Sequence, residues 1–278
     1  MKNLLLRSVT GILYVAVIVC TLLFGGDKGF MVLCAIFAAL SIYELNAMMH
    51  VRKRLLDWVM AMDILGAVLL MLGVCFEYTM SFDKFVDAAS WFLIYVMVRL
   101  AFQLFAHKKL PIEMLYTSFM SQIYVSVPLT VAALLYLLYG YGLVLAMFIL
   151  IWLNDTGAYI VGSSMGKHRL YESISPKKSW EGFFGGLLFC IGGAIVMFLL
   201  GLPATPLSLV GMLGFSVVVC VASTIGDLVE SMIKRSHNIK DSGSILPGHG
   251  GVLDRIDSLL YVSPAILVYM IKVLDILE

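Results

Sequence analysis

The chain has 278 residues, of which 61% are hydrophobic and 13% are charged. Because soluble domains carry about 25% charged residues, this composition excludes an ordinary soluble protein and indicates an integral membrane protein. The formal net charge is +1, and the basic residues are not gathered on one helix or tail, so we expect no nucleic-acid partner. The five cysteines lie in apolar stretches without the spacing of a zinc site or a disulfide framework.

Nine apolar stretches, each about 20 residues long, are long enough to cross the hydrocarbon core of a bilayer as helices. They lie at approximately residues 4–24, 29–49, 55–76, 86–106, 113–138, 142–163, 181–201, 206–233 and 256–277. The predicted fold class is therefore all-α: a polytopic membrane protein with about nine transmembrane helices. The first stretch contains Arg7 near its start but is not followed by a small-residue cleavage site, so we expect it to be retained.

Basic residues alternate with neutral or acidic loops along the chain. They gather before the first stretch, at 52–54, at 108–109, at 167–178 and at 234–255. Under the positive-inside rule, this pattern places the N-terminus and the basic loops in the cytoplasm and the C-terminus outside. We therefore expect the loops 164–180 and 234–255 to face the cytoplasm, where nucleoside triphosphates are found.

The content of polar residues divides the chain near Leu110 and Pro111. We predict an N-terminal membrane region of four helices, residues 1–110, and a C-terminal catalytic membrane region of five helices, residues 111–278. The first region has few internal polar groups, and we interpret them as internal pairs or groups near the surface. They are Glu44, Asp63 and Arg99. Glycines in the seventh stretch would allow close helix packing, either within the fold or in a homodimer.

One long polar interval, residues 231–257, interrupts the C-terminal half. Its cations are able to neutralise phosphate oxygens; they are Lys234, Arg235, Lys240 and Arg255. Asp254 and Asp257 are hard oxygen ligands of the kind that Mg²⁺ prefers. Glycines around His249 leave backbone N–H groups accessible to an anion; they are Gly248, Gly250 and Gly251. Together these residue types indicate a site for a nucleotide or a pyrophosphate.

The same interval resembles the signature of the phosphatidate cytidylyltransferase family, the CDP-diacylglycerol synthases. The matching positions are Ser231, Lys234, Arg235, Lys240, Asp241, Gly243, Pro247, His249, Gly250, Gly251, Asp254, Arg255, Ile256 and Asp257. The resemblance implies a Mg²⁺-dependent attack of phosphatidate on the α-phosphorus of CTP, which yields CDP-diacylglycerol and pyrophosphate. It also implies membrane lipids as partners and a site on the cytoplasmic side of the cell membrane. Participation of a second, monovalent cation is left open.

Four polar residues at the end of the eighth stretch are spaced at i, i+3, i+4 and i+7 and so share one helix face. They are Asp227, Glu230, Ser231 and Lys234. We predict that Asp227, Asp254 and Asp257 are metal ligands. The alternatives are a plain ion pair of Asp227 or Glu230 with Lys234, and capping of the ninth helix by its two aspartates.

A second polar cluster precedes this interval. Asn154 and Asp155 lie late in the sixth stretch, where a carboxylate is costly unless it has a partner. The basic loop that follows contains the run from Ser175 to Gly182, and both stretches resemble the same family. Lys177 and Lys178 are therefore predicted to hold a substrate phosphate. Contact with anionic lipid headgroups is the alternative for these two lysines.

The predicted catalytic residues are Asp227, Lys234, Arg235, Asp254, Asp257 and His249. For His249 we favour phosphate binding, because an attacking phosphate is already ionised near neutral pH and needs no strong base. The predicted substrate-binding residues are Asn154, Asp155, Lys177, Lys178, Ser231, Lys240, Asp241, Gly250, Gly251 and Arg255.

Two other functions compete with this prediction. A CTP-dependent lipid kinase would use similar residues but would release CDP instead of pyrophosphate. A secondary transporter would use Asp155, Asp227 and Glu230 to line an ion path. The confinement of polar residues to one half of the chain argues against transport, since transporters commonly contain paired repeats.

Overall fold

The structure, a computed structural model, describes residues 2–49, 58–76, 82–105, 111–202, 207–248 and 250–277. Its helices are α1 (Lys2–Phe24), α2 (Gly26–Met49), α3 (Trp58–Phe76), α4 (Phe82–Phe105), α5 (Pro111–Met120), α6 (Val127–Met165), α7 (Trp180–Leu199), α8 (Leu209–Ser236) and α9 (Leu253–Leu277). A π-helical turn, Ser121–Ser126, joins α5 to α6. Between α6 and α7 the chain forms two antiparallel strands, β1 (Arg169–Tyr171) and β2 (Ser175–Ser179), which the all-α prediction did not include.

The membrane character of the chain is confirmed by its helices. By length and composition, four helices among the described residues are apolar enough to cross a membrane: Gly26–Met49, Ile112–Met165, Trp180–Leu199 and Leu209–Ser236. Large apolar side chains such as Leu188 and Val210 are exposed, as expected of surfaces that face lipid. The chain is therefore an integral membrane protein, while the count of nine spans and the orientation of the termini stay predictions.

The predicted fifth and sixth spans are joined more tightly than expected. Residues 139–142 were predicted as a loop, but the structure has a single non-helical residue inside α6, Gly140, with φ 79° and ψ 176°. This backbone conformation is open almost only to glycine. A one-residue break is therefore enough to separate the two halves of α6.

The chain divides into two compact units. The first unit contains Met1–Leu137 together with Asp241–Asp254, and the second contains Leu138–Lys240 together with Arg255–Glu278. The predicted division by polar content falls beside residues 106–110, which lie outside the described residues, and it stays a prediction. The division in the structure shows that part of the long polar interval packs with the N-terminal helices.

The core of the first unit includes one face of α2. Phe30, Cys34, Ala38, Ile42 and Leu45 are buried, and their spacing of three or four residues places them on one side of the helix. The ring of Phe30 stacks on Tyr136 of α6, with 5.2 Å between the ring centroids. The tyrosine hydroxyl donates to the carbonyl of Leu22 at 3.2 Å, which ties α1 to the same core.

In the second unit, glycines let α6 and α7 approach closely. A Cβ atom at Gly182 would lie 3.3 Å from the Cα of Gly162, and one at Gly185 would lie 2.9 Å from the carbonyl oxygen of Gly157. Backbone contacts this close leave no room for larger side chains. The predicted role of these glycines within the fold is confirmed, whereas a homodimer stays a prediction.

Candidate active site

The C-terminal end of α8, which is predicted to face the cytoplasm, carries the four polar residues that share a helix face. Glu230 is 1% exposed and accepts a hydrogen bond from the ammonium group of Lys234. Lys234 as a whole residue is 9% exposed. Of the two pairings considered for Lys234, the structure therefore contains the one with Glu230. A cation buried beside a carboxylate has its charge already balanced, so a phosphate would compete with Glu230 for Lys234.

Asp227, one turn earlier, contacts a residue from a distant part of the chain. Its Oδ2 atom lies 2.7 Å from Nζ of Lys178 in β2, and the two side chains are 35% and 25% exposed. Ser231 donates to the other carboxylate oxygen of Asp227 at 3.2 Å. The two polar clusters predicted separately from the sequence thus meet in one ion pair. Because both side chains are partly exposed, another charged group has access to this pair.

The strand pair is fixed at its base by the start of α7. Ser179 is the N-cap of this helix, and its side chain accepts the N–H of Gly182 at 3.1 Å. Glu181 accepts the backbone N–H groups of Lys167 and His168 at 3.1 and 3.2 Å. These bonds position β2 and with it Lys178. Lys177, the neighbouring residue, is exposed.

Arg235 follows Lys234 on α8 and contacts the backbone of two loops. Its guanidinium group donates to the carbonyl of Ile174 at 3.4 Å and to the carbonyl of Ile239 at 3.0 Å. The first bond connects α8 to the turn before β2, and the second closes the end of α8. These contacts give Arg235 a role in holding the strand pair, beside its predicted role as a phosphate ligand.

Small polar residues join α6, α8 and α9 next to this site. The side chain of Asn154 donates to Oγ of Ser223 at 3.4 Å, and Ser258 donates to the carbonyl of Ser223 at 3.3 Å. A Cβ atom at Gly226 would lie 2.8 Å from the carbonyl oxygen of Asp257. The close approach of α8 and α9 at this glycine brings Asp227 and Asp257 into the same region.

Three carboxylates from three helices act on one another electrostatically in this unit. The charges of Asp227 and Asp155 act on Asp257, and the opposite charges of Lys178 and Arg255 act on Asp155. Asp155 was predicted to bind substrate and not metal, yet it is the third carboxylate of this group. Excess negative charge of this kind attracts a cation.

The loop between α8 and α9 belongs in part to the first unit. Asp254 accepts the N–H of Ser242 at 2.9 Å and the N–H of Gly251 at 2.8 Å. Gly250 has φ 82°, and its carbonyl accepts the N–H of Leu246 at 2.9 Å, which closes a tight turn. Asp254 therefore holds the loop that precedes α9, and its capping of α9 stays a prediction. A carboxylate has about four acceptor positions, so its role as a metal ligand stays a prediction.

Not every predicted residue has a described contact. Lys240 and Asp241 are exposed at the start of the loop, and His249 lies outside the described residues. Within the described part of the chain, no group of three or more His, Cys, Asp or Glu side chains is close enough to hold a metal ion. The predicted set of three metal ligands stays a prediction.

One buried carboxylate of the first unit has partners that the sequence analysis missed. Glu44 of α2 is 1% exposed and accepts the N–H of Val252 at 3.0 Å and the N–H of Leu253 at 2.8 Å. Ser242 donates to the same carboxylate at 3.2 Å. A carboxylate inside an apolar stretch is itself a signal of a special role, and the sequence analysis gave this signal too little weight. The partners of Glu44 could not be read from the sequence, because they are backbone groups about 200 residues away along the chain.

A second carboxylate of the first unit, Asp63, is bound by side chains of the same unit. Oδ1 of Asp63 in α3 lies 3.4 Å from Nε of Arg99 in α4, and both side chains are almost fully buried. Tyr95 and Ser118 donate to the two oxygens of Asp63 at 2.9 and 2.8 Å. The interpretation of Asp63 and Arg99 as an internal pair is confirmed.

The fold and the site define a helical integral membrane protein with acidic and basic side chains grouped on neighbouring helices of one unit. The family model described as "Cytidylyltransferase family" matches residues 5–273, and the chain belongs to this family. The resemblance drawn from residues 231–257 is confirmed at the level of the family.

Several relatives named phosphatidate cytidylyltransferase are similar to part of the chain. The proteins from Staphylococcus epidermidis and Staphylococcus haemolyticus are each 45% identical over 133 residues, which is 48% of this chain and 50% of each relative. The protein from Staphylococcus aureus is 44% identical over the same length and coverage. The chain spans about half the length of the curated relatives it matches.

Proposed function

We propose that the chain is a membrane-embedded cytidylyltransferase that makes CDP-diacylglycerol and pyrophosphate from CTP and phosphatidate. In this reaction a phosphate oxygen of phosphatidate forms a bond to the α-phosphorus of CTP, and the bond between the α-phosphorus and its bridging oxygen to the β-phosphate breaks. The relatives named phosphatidate cytidylyltransferase support this reaction. The observation that carries it is the contact of Lys178 with Asp227, which joins the family-like run from Ser175 to Gly182 to the polar face of α8 in one partly exposed site.

The cations of the second unit fit the role of binding the triphosphate. Lys178 is partly exposed and is held on a fixed strand, so a phosphate oxygen is able to replace Asp227 as its partner. Lys177 and Arg255 are exposed and add positive charge. Because the lipid phosphate is already ionised near neutral pH, positioning and charge neutralisation are the main requirements of the reaction.

The carboxylates of the second unit fit Mg²⁺ by their chemistry. Mg²⁺ in nucleotide enzymes is commonly held by one or two carboxylates together with substrate phosphates, so a preassembled group of three ligands is not required. Asp227 and Asp257 would hold the ion, and Asp155 adds negative charge beside them. When bound, Mg²⁺ neutralises charge that develops on the leaving pyrophosphate. Asp254, with two backbone donors already bound, is retained as a further candidate ligand, and a monovalent cation is a further candidate ion.

The proposed site faces the cytoplasm, and the proposed location is the cell membrane. The concentration of basic residues in loops 164–180 and 234–255 supports this orientation. A site at this surface would serve a reaction in which phosphatidate stays in the bilayer and CTP stays in water.

Incubation of the purified protein in detergent with phosphatidate, Mg²⁺ and CTP labelled in the cytosine ring tests the proposal. We expect a lipid-soluble cytidine product and an equal amount of pyrophosphate. Release of labelled CDP, with a phosphorylated lipid lacking cytidine, would identify the lipid kinase instead. If neither product forms while the protein is folded, the proposed function is wrong.

A further inference from the structure

The carboxylate of Glu44 is bound to the loop that carries the family-like signature. It accepts three hydrogen bonds, two from the backbone N–H groups of Val252 and Leu253 and one from the hydroxyl of Ser242. Leu253 is the first residue of α9. Since the first N–H groups of a helix have no partner within the helix, Glu44 supplies this partner from another helix.

The fit of the loop around Glu44 leaves no space for side chains at two of its glycines. A Cβ atom at Gly243 would lie 2.9 Å from the carboxyl carbon of Glu44, and one at Gly251 would lie 2.7 Å from it. Flexible side chains usually move away from such contacts. The three hydrogen bonds of Glu44 hold its carboxylate in place, so these glycines are required for the loop to close around it.

Asp254 is the second carboxylate that binds this loop. It accepts the N–H groups of Ser242 and Gly251, while Glu44 accepts the hydroxyl of Ser242 and the N–H group that follows Gly251 in the chain. Both ends of the loop are thus bound to both carboxylates. Loss of Glu44 would release the start of α9 and leave Asp254 as the remaining described acceptor for the loop ends.

We propose that Glu44 is a positioning residue of the transferase: it sets the conformation of the loop segments 241–248 and 250–252 and of the start of α9, which carries Asp254. This inference rests on the proposed function, because the loop contains Asp241, Gly250 and Gly251, which are predicted to bind substrate. Glu44 itself need not touch substrate. Its carboxylate acts through the backbone of Val252 and Leu253, next to the predicted substrate-binding residues Gly250 and Gly251.

The test combines a structural readout with a kinetic one. Glu44→Gln keeps the size of the side chain but removes the charge and one acceptor oxygen, and Ser242→Ala removes only the hydroxyl donor. Asp63→Asn is the matched control, because it also neutralises a buried carboxylate of the first unit that contacts side chains instead of the loop. Hydrogen exchange of the full-length protein in detergent, read on peptides that contain residues 242 and 252–253, reports the loop directly.

We expect Glu44→Gln to accelerate exchange at residues 252–253 and to raise the KM for CTP about 10-fold, as is typical when a supporting partner of a binding residue is lost. Ser242→Ala should produce a smaller change of the same kind. Asp63→Asn should leave both the local exchange and the KM unchanged, even where it lowers the yield of folded protein.

Any of three results would overturn the proposal. The first is exchange at residues 252–253 in Glu44→Gln equal to that of the unsubstituted protein, and the second is exchange that rises equally throughout the protein. The third is faster local exchange without a change in KM. If the unsubstituted protein makes no lipid-soluble cytidine product, the proposed function fails first. The exchange measurement would then still decide whether Glu44 holds the loop.

Discussion

In the first unit, the carboxylates of Glu44 and Asp63 accept hydrogen bonds from donors that the fold supplies at fixed positions. In the second unit, Asp227 is paired with a partly exposed lysine and lies within electrostatic range of Asp155 and Asp257. The acidic residues of this membrane protein therefore serve two purposes. Donors built into the fold make a carboxylate structural, whereas an accessible partner lets a carboxylate exchange ligands.

The largest effect predicted by this comparison is on stability, from Asp63→Asn. Neutralising Asp63 leaves the Arg99 guanidinium buried beside an uncharged amide, and breaking a buried pair in this way costs about 3–5 kcal/mol. Thermal unfolding in detergent measures the loss. Turnover per folded molecule should not change, and a specific loss of turnover with normal stability would contradict the structural role.

Asp227→Asn should have the opposite profile. We expect turnover to fall by about 100-fold or more, as when a group that stabilises charge is removed from an active site, with little change in unfolding temperature because Asp227 is partly exposed. Glu172→Gln, an exposed carboxylate in the turn of the strand pair, is the matched control. Near-normal turnover of Asp227→Asn at saturating Mg²⁺ would remove this residue from the site.

Lys178→Met should weaken binding of CTP without unfolding the protein. Loss of one charge-assisted hydrogen bond to phosphate is worth about 1.5–3 kcal/mol, so the KM for CTP should rise by about 10-fold or more. Lys177→Met, one residue earlier and exposed, should have a smaller effect. Equal effects of the two substitutions would indicate a general attraction of charges and not a defined contact.

The smallest predicted effect concerns the break in α6. Gly140→Ala places a side chain at φ 79°, where the strain costs about 1 kcal/mol or more. Gly192→Ala is the control, because a Cβ atom at this helical glycine meets nothing within 4 Å and alanine favours a helix. Thermal unfolding compares the two variants. Equal unfolding temperatures would show that a side chain at residue 140 causes no strain.

The sequence predicted the positions of the helices well because long apolar stretches leave few alternatives in a membrane. It offered an internal pair as one of two interpretations for Asp63 and Arg99, without assigning the two residues to each other. It could not predict that Lys178 reaches Asp227, since charge and spacing do not reveal which loop packs on which helix. The partners of Glu44 were missed for a related reason. They are mainly backbone groups, and the identity of a residue does not predict which backbone groups will pack against it.

The break at Gly140 shows a further limit of pattern analysis. The neutral run around this glycine predicted a loop between two spans, but one residue with positive φ is sufficient to interrupt the helix. Hydropathy reports the length of apolar stretches, whereas the form of a connection depends on backbone conformation.

The central claim is that the second unit binds the nucleotide while the Asp63 network of the first unit is structural. Hydrogen exchange of the purified protein, with and without CTP and Mg²⁺, tests it most directly. We predict that CTP slows exchange in the strand 175–179 and at the end of α8, residues 227–236, and leaves exchange in α3 around Asp63 unchanged. Protection in α3 without protection in these two segments would contradict the claim.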